Sequence, residues 1–350
     1  MSSTPDRKAD SAEVSGAPSI AEKRQFLSQP CAYPEGPSSV EVIETHMSLL
    51  FLAGDRAYKL KKPVRFPYLD FSTLQARERN CREEVRLNRR LAANIYLGVI
   101  RLVLTAERRL ALGGEGETVD WLVEMRRLPQ KYMLDQLLKG EGLGEKRLNA
   151  LCDTLGDFYR RAARSTITAQ DYAARFFREQ EINRDILTRR DFALDHGRVP
   201  ILLNRLERRL VADCQLLKER VLNGFVVEGH GDLRPEHICL SDPVVIFDCL
   251  EFNSDLRQVD PFDELAFLGM ECAKLGAPAL GPRLIEKMAQ RLGQEAPKQL
   301  VFLYAAWRAV LRSRLALAHL LDPTPRDPQK WEPLATQYLD LAEQALAVNS

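Results

Sequence analysis

Glu228-Gly229-His230-Gly231-Asp232-Leu233-Arg234-Pro235-Glu236-His237-Ile238, followed at once by Val244-Val245-Ile246-Phe247-Asp248-Cys249-Leu250-Glu251-Phe252, is the stretch on which the reading of this chain turns. Asp232 sits on a glycine-containing loop after a short apolar run, where a carboxylate can face a cleft. Asp248 ends a second apolar run, so a strand there delivers one carboxylate at its C-terminal end. Taken singly, His-Gly-Asp is an Asx turn or a helix cap, and an apolar run ending in Asp is commonplace. Their joint occurrence at this spacing, after a helical segment, favours a functional site.

Outward from this island the chain changes character on either side. Downstream of Pro129 it is overwhelmingly helical in pattern: 147–164, 175–189 and 200–222 come before the strand-rich island at 225–252, and 263–275, 281–292, 299–321 and 332–347 after it. Upstream, Val40–Glu44 alternates as a strand, and Ser48–Ala53 turns through Gly54-Asp55 into Arg56–Lys61. A helix is expected over 73–91, with Glu84, Leu87, Asn88 and Leu91 on one face; a hairpin over 99–112 and a strand at Trp121–Met125 follow. Residues 1–38 read as a flexible tail, rich in Ser, Pro, Ala and charge, with one weakly helical piece at Ile20–Leu27. The division expected is thus a 1–38 tail, a small lobe over 39–128 and a helical lobe over 129–348. A small antiparallel β lobe with one helix, followed by a larger mainly helical lobe, is an α+β arrangement.

The bulk numbers set bounds. The chain has 350 residues, a net charge of +1, 45% hydrophobic and 28% charged residues, which are ordinary values for a soluble globular protein. No global field recruits nucleic acid or an anionic membrane, so neither partner is expected. No apolar stretch approaches the roughly 20 residues of a membrane helix. The seven cysteines form no C-x-x-C pair and read as reduced, mostly buried residues of a cytoplasmic protein.

Phosphoryl transfer needs one carboxylate near the acceptor hydroxyl and others to hold the cation that neutralises the phosphates. Asp232 and Asp248 fit those two needs. His230-Gly231-Asp232-Leu233 with Ile246-Phe247-Asp248 resembles the aminoglycoside phosphotransferase (choline-kinase-like) family, and is most similar to a poorly characterised bacterial branch often fused to a P-loop kinase domain. Glu44–Ser48, Tyr58–Pro63, Arg86–Leu91 and Tyr96–Val99 are similar to that branch too; the resemblance spans about residues 36 to 320, and no P-loop motif is present.

The resemblance implies a bilobal protein-kinase-like fold and an ATP-dependent phosphotransferase acting on a hydroxyl of a small molecule, with ATP and magnesium as cofactors and manganese as the alternative metal. It implies Asp232 as catalytic base, with His230 and Arg234 in the same motif, and Asp248 with His237 as metal ligands, Glu251 assisting. His237 stands where kinases usually carry a metal-binding Asn, and magnesium prefers oxygen. In the strand Arg56–Lys61, Ala57 and Lys59 point the same way and match the A-x-K pattern of the nucleotide lysine; Lys61 and Lys62 read as a solvated strand end. Glu84 is its expected helix partner, with Glu83 the alternative. The turn lacks G-x-G-x-x-G, which leaves Thr45, His46 and Ser48 to contact phosphates. Glu124 and Met125 mark the candidate hinge that docks the base. Asp260 reads as a helix cap, and the resemblance implies that Asp263 buttresses the catalytic loop. Arg308 and Arg312, one turn apart, read as solvated or ion-paired arginines, with an acidic substrate as the alternative.

Two other functions compete: a pseudokinase-like nucleotide-binding scaffold, motivated by His237, and nucleotidyl (AMP) transfer on the same fold.

Overall fold

Alternating apolar runs joined by tight turns build the N-terminal half. The computed structural model describes residues 17–66, 69–322 and 327–347. Strands β1 (Val40–Glu44), β2 (Ser48–Ala53) and β3 (Arg56–Lys61) form an antiparallel meander, with Glu44 opposite Leu49 and Ala53 opposite Arg56. Gly54 takes φ +61° at the β2–β3 turn, a conformation an L side chain resists. The short hairpin β4 (Arg65–Phe66) and β5 (Leu69–Asp70) leads to a helix over Leu74–Ala92, which Thr73 caps by accepting from the Ala76 amide. Strands β6 (Tyr96–Leu104), β7 (Leu110–Leu112) and β8 (Glu117–Arg126) complete a six-stranded sheet in the order β1-β2-β3-β8-β6-β7, antiparallel throughout.

Ahead of β1 lies a helix rather than a loose tail. Helix α1 (Ile20–Leu27) begins with a capping box between Ser19 and Glu22. Its Leu27 is fully buried in a core with Tyr33, Leu49, Phe51, Tyr58, Leu60, Leu102 and Leu122. Lys23 donates to Asp120 Oδ2 at 2.8 Å and to the Val119 carbonyl at 3.0 Å. Helix α2, as we number Leu74–Ala92, brings Arg77 to the other oxygen of Asp120 at 2.7 Å. One buried carboxylate therefore pins two helices to the sheet. The helical piece expected at Ile20–Leu27 is α1, and what the flexible-tail expectation missed is its packing, with Leu27, Ala32 and Tyr33 in the core and Ile20 and Phe26 against it; residues 1–16 of that expectation lie outside the described residues.

The helical half carries α3 (Leu134–Lys139), α4 (Glu145–Arg161), α5 (Ala169–Leu187) and α6 (Arg198–Leu222). Then comes the island, whose strands are only residue pairs: β9 (Val227–Glu228), β10 (Ile238–Cys239), β11 (Val245–Ile246) and β12 (Gln258–Val259). β9 pairs with β12 and β10 with β11. Helices α7 (Pro261–Lys274), α8 (Leu280–Leu292), α9 (Lys298–Ala318) and α10 (Pro328–Ala347) complete it. Phe176 of α5 packs its ring against Tyr304 and Trp307 of α9. The chain thus forms two units, 1–128 with Glu251–Asn253 and 129–250 with 254–350. The fold class expected from the sequence, a small antiparallel β lobe with a larger helical lobe, is the one observed. Among the described residues no helix is long and apolar enough to cross a membrane.

Removing one partner of a buried ion cluster leaves uncompensated charge, which typically costs about 3–5 kcal/mol. Asp120→Ala strands both Lys23 and Arg77, and urea denaturation followed by circular dichroism should show a loss of that order. An unchanged midpoint would mean that α1 is not held by this carboxylate.

Candidate active site

The loop after β9 is shaped by two glycines. A Cβ on Gly229 would lie 2.4 Å from Val259 Cγ2 and 2.7 Å from Glu264 Oε2, so no side chain fits there. Gly231 has φ +89°, and a Cβ on it would meet Leu250 at 2.9 Å. The turn these glycines allow aims two amides at one carboxylate of α7: His230 N–H donates to Glu264 Oε2 at 3.1 Å and Gly231 N–H donates to Oε1. Tyr159 donates its hydroxyl to Glu264 Oε2 at 2.8 Å. Burial raises the Glu264 carboxyl above its ordinary range, and the two amides and the tyrosine pull it back in part.

The loop also fixes its histidines. His230 Nε2–H donates to the Phe247 carbonyl at 2.9 Å, and its Nδ1 accepts from the Asp232 amide at 3.3 Å. Burial first, then the neighbouring His237, pushes the His230 imidazole down to about 4, so the ring is neutral at physiological pH. Arg234 is extended, as a residue before proline must be, and Pro235–His237 make a 3₁₀ turn. There His237 Nδ1–H donates to the Asp232 carbonyl at 2.8 Å. The carbonyl cannot donate, so Nδ1 carries a proton, and Nε2, the nitrogen that can offer a lone pair, faces Asp248 Oδ2 3.6 Å away. Asp248 holds φ +60°, a left-handed conformation uncommon for a non-glycine residue. A nitrogen lone pair and a carboxylate oxygen at that separation fit a divalent cation between them, and an N,O donor set suits manganese or zinc better than magnesium.

Asp232 is the partly exposed carboxylate of the group. Burial would raise it, but Arg234, His237 and Arg312 outweigh that and hold it below the usual aspartate value. Arg234 Nε lies 3.6 Å from Asp232 Oδ2, and its Nη2 pairs with Glu236 at 2.5 Å. Asp263 does not touch the loop. It takes both nitrogens of a bidentate Arg308 at 2.8 and 2.7 Å, so the buttress expected there is supplied by the next residue, Glu264. Adjacent helical positions point about 100° apart, and only one can face the loop. Asp260 caps α7 through the Phe262 amide and also holds Arg220.

In the first unit, Glu84 of α2 is fully buried and takes two lysines of β3: Lys59 at 2.9 Å on Oε1 and Lys61 at 2.7 Å on Oε2. Glu83 instead pairs with Arg86 on the exposed face. Lys61 is no solvated strand end: it is wholly buried and also pairs with Glu251, which is therefore occupied in charge neutralisation. Burial works against the Lys61 ammonium, yet Glu251 and Glu84 overcome it and raise its pKa. Lys59, with 17% of its side chain exposed, keeps access to solvent. Thr45 spends its hydroxyl within the β1–β2 turn, on the Ser48 carbonyl and amide. Ser48 is buried in β2, and His46 stacks on Phe66. Glu124 and Met125 lie within β8, between β3 and β6, rather than in a linker. Met125 shares the face of Ala57 and Lys59; Glu124 lies on the opposite face, where it pairs with Arg56 at 3.3 Å.

Solved structures of the same fold are small-molecule kinases. A choline/ethanolamine kinase family protein from Mesorhizobium loti superposes with a TM-score of 0.54 at 15% identity, covering 93% of this chain and 94% of that one. A choline kinase from Cryptosporidium parvum gives 0.54 at 11% identity, over 93% and 97%. An aminoglycoside phosphotransferase gives 0.54 at 12% identity, over 92% and 99%. The fold is protein-kinase-like. By sequence, the chain is 34% identical over 315 residues to uncharacterised proteins of Mycobacterium tuberculosis and Mycobacterium bovis. It spans 61% of the length of those curated relatives. No family model matches the chain.

Glu264, Lys61 and Tyr159 were not singled out from the sequence. Glu264 had one available signal, its place in the first turn of the helix that follows the island. Two outcomes follow from this geometry. Glu264→Ala should speed amide exchange at His230 and Gly231 far more than at the amides of α7; unchanged protection would remove Glu264 as the loop's anchor. His230, whose imidazole is pushed down from an ordinary 6.5 to about 4, binds its proton more readily in the unfolded chain. Its contribution to stability is therefore full above about pH 6.5 and lost as pH falls toward 4. His230→Gln should flatten that part of the stability–pH curve.

Proposed function

We propose that the protein transfers the γ-phosphoryl group of ATP to a hydroxyl of a small molecule. The observation that carries this reading is Asp232: a partly exposed carboxylate kept ionised by Arg234, on a loop whose two amides are tied to Glu264. In this reading Asp232 accepts the acceptor's hydroxyl proton as that oxygen bonds to the γ-phosphorus and the bond to the β,γ-bridging oxygen breaks, leaving ADP. Arg234 offsets charge that develops on the phosphoryl oxygens. Neutral His230 holds the loop through Phe247 and does not exchange protons with substrate. Asp248 and His237 would hold the divalent cation, which supplies charge neutralisation on the phosphates when bound. Lys59, positioned by Glu84, grips the nucleotide phosphates, while Lys61 balances Glu84 and Glu251. The nucleotide is assigned to the first unit, and the base and metal to the second.

The kinase-like fold supports this reading, and so does the lone pair that His237 turns toward Asp248, which argues against a degraded site. Product analysis with ATP and an acceptor panel should yield ADP. Pyrophosphate would mean nucleotidyl transfer, and neither product, with ATP bound, would favour a scaffold. Asp232→Asn should lower kcat by at least about 100-fold while ATP still raises the melting temperature. Persistent turnover would exclude Asp232 as the base. The metal-dependent part of that thermal shift should be lost in Asp248→Ala, and Mn2+ should give a larger shift than Mg2+ if His237 is a ligand.

A further inference from the structure

The charge of Arg312 on α9 acts on Asp232, and ion pairing within the protein does not exhaust its side chain. Its Nε lies 3.2 Å from Glu271 Oε1 and 3.4 Å from the Tyr338 hydroxyl. Tyr338 in turn donates to Glu271 Oε1 at 2.7 Å, and Lys274 donates to Tyr338 at 2.7 Å and pairs with Glu271 at 2.5 Å. The guanidinium also stands 5.5 Å from the Tyr338 ring centre. These contacts fix the side chain through its Nε edge. Among the described residues, none hydrogen-bonds to Nη1 or Nη2, the two nitrogens that form the fork. A planar fork of this kind matches a carboxylate or phosphate bidentately.

The surroundings leave the fork positive. One carboxylate, Glu271, is shared by two cations, Arg312 and Lys274. Glu271 lies on α7, against which the Pro235–His237 turn packs, and both Glu271 and Arg312 act electrostatically on Arg234 of the loop. Arg312 is within electrostatic range of Asp232, which it helps keep ionised, and of Arg234, which it repels. An ammonium group placed there would face two guanidinium ions; an anion would relieve their repulsion.

Resting on the phosphotransferase reading, we infer that the acceptor is an anionic hydroxyl compound whose carboxylate or phosphate is bound by the Nη1/Nη2 fork of Arg312, with its hydroxyl presented to Asp232. This assigns Arg312 a specificity role and sets the acceptor apart from cationic alcohols.

The test is calorimetric titration of the full chain, without nucleotide, with D-glycerate, glycerol 3-phosphate, glycerol and ethanolamine, on wild type, Arg312→Gln and Arg312→Lys. The two anionic probes separate a carboxylate site from a phosphate site. At least one should bind, more tightly than glycerol or ethanolamine. Arg312→Gln should weaken it by about 10–100-fold, the range for losing hydrogen bonds to a charged group, and Arg312→Lys by less. Arg312→Lys also keeps the charge that acts on Asp232, so a role confined to holding that carboxylate ionised would leave anion binding unchanged in both variants and lower kcat in Arg312→Gln alone. That result overturns the inference. So does absence of anion binding, binding unaffected by Arg312→Gln, or tighter binding of ethanolamine. Arg312-dependent anion binding in a protein that never forms ADP would support this site while removing the phosphotransferase reading.

Discussion

Much of the helical unit's chemistry hangs on one carboxylate placed beneath a loop. Glu264 receives the amides of His230 and Gly231 and the hydroxyl of Tyr159, all within a buried pocket. A loop that must expose an aspartate cannot use sheet pairing to satisfy its own backbone, and unsatisfied buried amides are costly. Glu264 resolves this from outside the loop. It also requires Gly229, because any side chain there would displace the carboxylate. The glycines, the helix start and the aspartate are thus one solution to a backbone problem.

Charge is handled throughout by shared carboxylates. Asp120 serves Lys23 and Arg77, Glu84 serves Lys59 and Lys61, and Glu271 serves Arg312 and Lys274. Two cations on one anion leave a surplus that must be met elsewhere. At Lys61 it is met by Glu251, and Lys61 becomes fully buried. At Asp120 the Val119 carbonyl and the Phe71 and Ser72 carbonyls take the remaining donors. At Arg312, none of the described residues hydrogen-bonds to the terminal nitrogens. The difference separates cations whose donors are all spent on packing from one that keeps two in reserve.

His237 illustrates how the donor face of a side chain can be read from a hydrogen bond. An asparagine offers an oxygen ligand whichever neighbour it meets. A histidine offers a lone pair only on the nitrogen that lacks the proton, and the Asp232 carbonyl decides which nitrogen that is. The backbone of Asp232 therefore orients the imidazole that faces Asp248. The two aspartates are linked through a single peptide group and one ring.

The sequence by itself determined the two-part architecture, and it pointed to the island that carries the carboxylates Asp232 and Asp248. These rest on local signals: alternation in Val40–Lys61, helical spacing after Pro129, and glycines and apolar runs that need only neighbours a few residues away. It also pointed to the Lys59–Glu84 pair, because strand and helix periodicity state which residues share a face. What lay beyond reach were partnerships set by angles between elements. Glu264 replaced Asp263 under the loop because a step of one residue on α7 rotates a side chain by about 100°. Lys61 proved buried because Glu251, far along the chain, returns to the first unit to neutralise it. Helix α1 joined the core through Leu27, with Ile20 and Phe26 packed against it. Only the tertiary structure decided these, since whether a charge is buried depends on what is packed around it, and packing is not written in local periodicity.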